Sequence, residues 1–342
     1  MKRSTFIKSL EPRFRQPEGY RFGNYFPSNR GRVRFGILRS ENERAFAIFT
    51  SGLGANLEMD FETSQTLADL GVTCFVMERF GEGGSGRPFS GKDRQKPALI
   101  FPYEYASDLL RFVDFQKKVL KSSPEKPLIL IGVCYGCLTG LYACLQNDRV
   151  FDHAFLTSPM LGLRWSNGAE HEWVFPISPE TEMEYVGKAR DWDWQLGQKL
   201  IANDPTSHDP ARSRLKHLWW RQYPRLRLGG YTYGFIHRSS LGVVRLFEEG
   251  QLERISTPIT LVSASDDVIN DNRRHVVAAA RLPNATHHLI EGARHGLWRE
   301  ADLYRNQMLD LLKGILGKLD GKMPRRQNHQ PLTADSQREA KT

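Results

Sequence analysis

The sequence predicts an α/β fold: a mostly parallel central sheet with helices on both faces and a helical cap insertion late in the chain. Three observations carry this. Short runs rich in Val, Ile, Leu and Phe alternate with amphipathic stretches of helical period, the pattern of strands buried on both faces. Gly-rich turns mark the junctions between them. The rhythm breaks once, between residues 163 and 254, where helical patterns replace strands and six of the seven tryptophans gather between Trp165 and Trp220. With 342 residues, 40% hydrophobic and 25% charged, the composition is ordinary globular usage and excludes a collagen-like, disulfide-scaffold or wholly disordered chain. That length makes one large domain or two modest ones.

Taken in order, residues 32–38 (RVRFGIL) partly alternate and are expected to add an antiparallel edge. Strands are expected at 44–50, 72–77, 128–133, 151–157, 259–264 and 287–290, and helices at 57–70, 103–120, 137–146, 272–281 and 298–319. Residues 127–147 hold no charge over 21 positions, a length that reaches across a bilayer. The Leu/Ile run stops after four residues and a Gly-Val-Cys-Tyr-Gly turn follows, so a strand, a tight turn and a buried helix account for it better. An insertion between parallel strands emerges at the carboxyl edge of the sheet, where ligands bind, so the Trp-rich helices read as a cap whose tryptophans face a substrate pocket. They read equally as that insertion's own core. Residues past 319 are polar and aperiodic, the composition of a disordered tail.

The net charge of +9 sits at the ends. Residues 1–50 hold 11 Lys/Arg against 4 Asp/Glu, and residues 313–342 hold 7 against 3, leaving the middle slightly acidic. Two readings stand open: solvated basic ends, or peripheral contact with an anionic membrane. No nucleic-acid module is visible. The four cysteines do not form a secreted disulfide framework, and the N-terminus lacks the apolar core of a secretory signal, so a cytoplasmic location is expected. No cofactor motif survives inspection. Cys134-Tyr135-Gly136-Cys137 spells C-x-x-C, but no second Cys/His pair lies nearby to complete a zinc site.

The chemistry concentrates where strand 128–133 runs into Gly132-Val133-Cys134-Tyr135-Gly136 and an apolar helix. This is the pattern of a nucleophile elbow, G-x-Nuc-x-G, in which a strained turn needs small neighbours at −2 and +2. A helix N-terminus and a nearby His bring a thiol pKa down from about 8.5, into a range of roughly 3.5–7.5. Asp266 and Asp267 follow strand 259–264, and His295 follows strand 287–290, which is the nucleophile, acid, base order that accompanies such an elbow. Upstream, Ser51-Gly52-Leu53-Gly54 follows strand 44–50. Its Leu53 N–H and the Tyr135 N–H are the candidate oxyanion donors.

Over residues 30–315 the chain resembles the α/β-hydrolases of the bacterial lysophospholipase and monoacylglycerol lipase group. Glu78-Arg79-Phe80-Gly81-Glu82-Gly83-Gly84-Ser85-Gly86-Arg87 is similar to the D-x-R-G-x-G-x-S-x-R segment of that group. Ser158-Pro159-Met160-Leu161-Gly162 resembles its A-P-M-x-G, and Gly229–Phe235 (GGYTYGF) resembles a cap motif of the bacterial lysophospholipases. Ser265–Asp271 resembles G-x-D-x-x-x-D, which implies Asp267 rather than Asp266 as the acid, and Gly292-Ala293-Arg294-His295 resembles G-x-x-H. The resemblance implies an α/β-hydrolase core at 31–163 and 255–319, a helical cap at 164–254, a basic N-terminal segment at 1–30 and a basic tail at 320–342. It implies a catalytic Cys134, His295 and Asp267 acting on a lysophospholipid-like or monoacylglycerol-like ester, or a thioester. Three departures stand out: Cys134 replaces the group's Ser, Val133 replaces the usual His before it, and Ser51-Gly52 replaces His-Gly. A thioester intermediate also yields to alcohols and amines, so acyl transfer is the alternative to hydrolysis, and a non-catalytic binding protein the second alternative. Cys137, one helical turn past Cys134, reads as core packing or as a redox partner for it.

Overall fold

In the computed structural model, which describes residues 3–27, 30–120, 122–164 and 176–320, the predicted strands join into a single eight-stranded sheet. The chain enters through α1 (Arg3–Ser9) and β1 (Arg21–Tyr25), and continues through β2 (Val33–Leu38), β3 (Ala45–Thr50), α2 (Phe61–Asp69), β4 (Val72–Met77), α3 (Pro102–Phe115) and α4 (Lys117–Leu120). Next come β5 (Leu128–Val133), α5 (Tyr135–Gln146) and β6 (His153–Thr157), then four helices, α6 (Pro179–Glu182), α7 (Trp194–Ala202), α8 (Pro210–Gln222) and α9 (Tyr233–Leu246). The core closes with β7 (Ile259–Ala264), α10 (Asn272–Arg281), β8 (Ala285–Ile290) and α11 (Asp302–Leu319). The strand order is β1-β2-β4-β3-β5-β6-β7-β8, with β1/β2 and β2/β4 antiparallel and every other pairing parallel. Strands β3, β4, β5 and β7 are buried at every residue because helices cover both faces, which is why their sequences are continuous apolar runs. This is the α/β-hydrolase fold.

Three expectations are corrected. The stretch 32–38 is not an edge, since β1 pairs outside it from Arg21↔Ile37 to Tyr25↔Val33. Gly23 permits this pairing, because a Cβ there would fall 2.2 Å from the Phe35 ring. The basic N-terminal segment is not simply solvated. Phe6, Leu10, Phe14 and Tyr20 are buried against Phe61, Trp192, Trp219 and Trp220, which ties the first helix to the inserted ones. Several cations of residues 1–50 are paired within the chain: Arg13 with Glu62 and Asp209, Arg30 with Asp108, the buried Arg34 with Glu58 and Glu78, and, at the surface, Arg44 with Asp320. The helix expected over 57–70 begins as a 3-10 turn, Leu57–Asp60, where Glu78 takes the Leu57 N–H.

The uncharged stretch 127–147 resolves into β5, a turn and α5, nearly all of it buried inside the core. Among the described residues no helix is long and apolar enough to cross a membrane. Helix α9, within the expected cap span, packs on the main core. Its Phe235, Ile236, Val243 and Leu246 pack with α3 and α5, and Tyr142 Oη donates to the Gly242 carbonyl at 2.7 Å. Trp165, Trp173 and the tail past Asp320 lie outside the described residues.

Candidate active site

Every predicted site residue falls in a loop or at a helix start at the carboxyl edge of the sheet, after β3, β5, β7 or β8. Cys134 links β5 to α5 with φ 53° and ψ −113°, a conformation that non-glycine residues rarely adopt. Its neighbours explain how the turn survives. A Cβ at Gly136 would lie 2.2 Å from the Thr50 carbonyl oxygen, and one at Gly132 would lie 3.0 Å from the Cys137 Cα. Cys134 is half-buried, whereas Cys74, Cys137 and Cys144 are fully buried. Cys137 donates from Sγ to the Thr157 carbonyl at 3.3 Å, and burial holds its pKa well above the ordinary thiol value.

Asp267 and His295 meet behind Cys134. His295 Nδ1 lies 2.7 Å from Asp267 Oδ2, with the carboxylate wholly buried. Burial would lower the His295 pKa, but the charge of Cys134, hydrogen bonds to Asp267 and Cys134 and the Asp267 charge outweigh it, and the ring is pushed up to about 10. Burial would likewise raise the Asp267 pKa. The hydrogen bond and charge of His295 and the backbone N–H groups of Asn270 and Ile269 hold it below the ordinary carboxylate value instead. With Nδ1 committed to the carboxylate, Nε2 is the nitrogen left to address Cys134. Asp266 is exposed and takes its hydrogen bond from Ser265 Oγ at 2.9 Å, so the structure brings together Asp267 and His295 and leaves Asp266 out. Ser158, another positive-φ residue at 45°, donates from Oγ to the His295 carbonyl at 2.7 Å and fixes that loop from below.

The Ser51–Gly54 loop passes against the elbow: a Cβ at Gly52 would lie 3.2 Å from that of Cys134. The Gly54 N–H is taken by Glu82 at 3.0 Å. Among the described residues nothing accepts the Leu53 N–H, and Tyr135, as the first residue of α5, has no intrahelical acceptor for its own. Two buried residues hold this loop in a way the sequence reading missed. Arg79 donates to the Ser51 carbonyl at 2.5 Å and the Gly52 carbonyl at 2.9 Å, pairs with Glu82 at 2.8 Å, and lies 5.1 Å over the Tyr135 ring. Its position inside the Glu78–Arg87 motif was the available signal.

The inserted helices close over these loops. The Trp220 ring would meet a Cβ on Gly54 at 3.4 Å, so one cap tryptophan does reach the Ser51–Gly54 loop. Trp192, Trp219 and Trp220 are otherwise core, packed on the N-terminal helix. Beyond α7, the Thr206 carbonyl accepts the Gly296 N–H at 2.7 Å, and the Asp204 and Ser207 carbonyls accept from Arg294, so the loop bearing His295 is braced by the insertion. An open groove of about 460 Å³ lies to one side, lined by Arg164, Ser265, Asn270, Asp271, Asn272 and Arg273. Among the described residues no group of His, Cys, Asp or Glu side chains is placed to hold a metal ion.

Known proteins carry the same fold and sequence signature. Over 276 residues the chain is 22% identical to a probable lysophospholipase L2 of Haemophilus influenzae, covering 80% of this chain and 84% of that one. It is 24% identical over 267 residues to lysophospholipase L2 of Escherichia coli, covering 77% and 75%. Among solved structures, a soluble variant of monoglyceride lipase from Saccharomyces cerevisiae superposes with a TM-score of 0.68 at 16% identity, covering 90% of this chain and 98% of that one. The model of the Hydrolase_4 family, serine aminopeptidase S33, matches residues 41–302, and the chain belongs to that family.

Proposed function

We propose that this protein hydrolyses carboxylic esters of the lysophospholipid or monoacylglycerol kind through Cys134, His295 and Asp267. The observation that carries the reading is the half-buried Cys134 on its strained turn, with the imidazole of His295, electrostatically coupled to that cysteine, held at Nδ1 2.7 Å from the buried Asp267. The Cys134 thiol gives its proton to His295 Nε2, and the thiolate attacks the ester carbonyl carbon. The carbonyl oxygen takes the electron pair and is held by the Leu53 and Tyr135 N–H groups. The C–O bond then breaks, and the alcohol leaves with the proton from His295. Water adds to the resulting thioester with His295 as base, the C–S bond breaks, and the carboxylic acid departs. Asp267 keeps the proton on Nδ1 throughout. The names of the relatives support the substrate class.

Sulfur at the elbow favours a second reading, acyl transfer, in which an alcohol or amine replaces water in the last step. Turnover of a p-nitrophenyl ester by Cys134→Ala tests the first reading. A loss of at least about a thousandfold is expected, and parental turnover refutes it. Product analysis with and without added glycerol separates water from an alcohol as the acceptor.

A further inference from the structure

Asn270 is not part of the Cys134, His295 and Asp267 constellation, yet its side chain touches the reacting atom. Its Nδ2 lies 3.9 Å from Cys134 Sγ and 2.7 Å from the Ser158 carbonyl oxygen. The carbonyl fixes which end of the amide is which, since only the NH2 group can face it. An NH2 group has two hydrogens, one for each of these acceptors. Among the described residues the amide's own Oδ1, which is buried, has no donor. A carboxamide kept for packing is ordinarily satisfied at both ends, so this one is held by its nitrogen side.

The backbone beneath it is pinned by hydrogen bonds. Asn270 N–H donates to Asp267 Oδ1 at 2.9 Å, Asn270 bridges Leu163 in antiparallel fashion, and the next N–H, from Asp271, donates to the Gly162 carbonyl at 2.9 Å. Asp267 therefore anchors both partners of the sulfur, His295 through Oδ2 and Asn270 through Oδ1. Two further titratable groups, Cys137 and Tyr231, are coupled to Cys134, and burial raises the pKa of each.

We infer that Asn270 is a further catalytic residue, donating its side-chain N–H to the Cys134 thiolate. The inference rests on Cys134 being the nucleophile. A thiol is a weak acceptor and a thiolate a strong one, so the contact favours the charged form. When the proton moves from Sγ to His295 Nε2, Asn270 keeps both hydrogens and shares one with the new charge. The contact weakens as the C–S bond forms and the sulfur loses that charge. It returns when the bond breaks in deacylation and the electron pair goes back to sulfur, so Asn270 assists thiolate departure as well as thiolate formation.

The test is the pH profile of iodoacetamide alkylation of Cys134 in the full chain, with Cys134→Ala as the blank. The other three cysteines are buried, so the signal is single-site. Asn270→Leu removes the donor and keeps the branching of the side chain. Alkylation near pH 6 should fall about tenfold while rates converge near pH 9, the loss expected when a hydrogen bond to a charged group is removed. An unchanged profile overturns the inference, and so does a uniform fall at every pH, which reports access rather than thiolate stability. If Asn270→Leu does not fold, Asn270→Ser, whose hydroxyl is too short to reach the sulfur, decides by the same criterion. Alkylation does not depend on turnover. A fully active Cys134→Ala would therefore sink the proposed function, whereas only the Asn270 profiles bear on this step.

Discussion

Arg79→Met is the perturbation that best separates holding the fold from shaping the site. Arg79 and Glu82 are each about 4% exposed, so their pair is cut off from solvent. Four donor contacts disappear, two to Glu82 at 3.0 and 2.8 Å and two to the Ser51 and Gly52 carbonyls. The Glu82 carboxylate is left with the Gly54 N–H alone as its strong partner. Orphaning one member of a buried pair costs about 3–5 kcal/mol, read as a lower urea midpoint. The catalytic effect is separate. Without the guanidinium the Gly52 carbonyl, in the peptide plane that carries the Leu53 N–H, keeps among the described residues only the long 3.4 Å contact from the Ala55 N–H, and loss of one oxyanion donor lowers kcat by about 10²–10³. Adding Glu82→Gln removes the orphan charge, so the double variant should recover part of the stability and none of kcat. Parental kcat in a destabilised Arg79→Met would show that Arg79 supports the fold alone. Strictly additive stability losses would show that the two side chains are not coupled.

Two further outcomes follow from the geometry. Asp267→Asn should lower kcat by about 10³–10⁴ because His295 loses the partner that sets its tautomer, while the exposed Asp266→Asn should leave kcat within about twofold; equal losses would reverse the assignment. Acid should destabilise the protein through its buried neutral histidines. Burial lowers His275 and His153 to about 4 and His217 to about 3, against an ordinary value of 6.5. The unfolded chain takes up protons below 6.5 and the native one does not until about 4, so their stabilisation is complete above 6.5 and lost as pH falls from 6.5 to 4. At about 1.4 kcal/mol per unit, His275 alone accounts for about 3 kcal/mol. Urea midpoints that do not fall between about pH 7.5 and pH 5 would contradict this.

How much of this was legible in the sequence follows from where each contact lies along the chain. Strands β3, β4, β5 and β7 announce themselves because burial on both faces writes a continuous apolar run. The Cys134 turn is legible because its strain forces Gly132 and Gly136, and Asp267 and His295 because they follow strand ends in a known order. Strand β1 and helix α1 were missed because their order comes from distant partners. Gly23 accepts the Phe35 ring, and Phe6 packs 5.0 Å from Trp219, more than two hundred positions away. Asn270 and Arg79 were visible only as members of motifs, since their targets lie 136 positions upstream and 27 and 28 positions upstream. A tertiary hydrogen bond of that span leaves no periodicity to read.

The central claim is that Cys134 carries the acyl group. Intact-mass measurement of the protein after brief incubation with an activated acyl ester tests it most directly. The account predicts one acyl mass increment, removed by neutral hydroxylamine as a thioester is, mapped to the peptide bearing Cys134 and absent in Cys134→Ala. An increment of the same size in Cys134→Ala, or one carried by a serine in the parent, would contradict it.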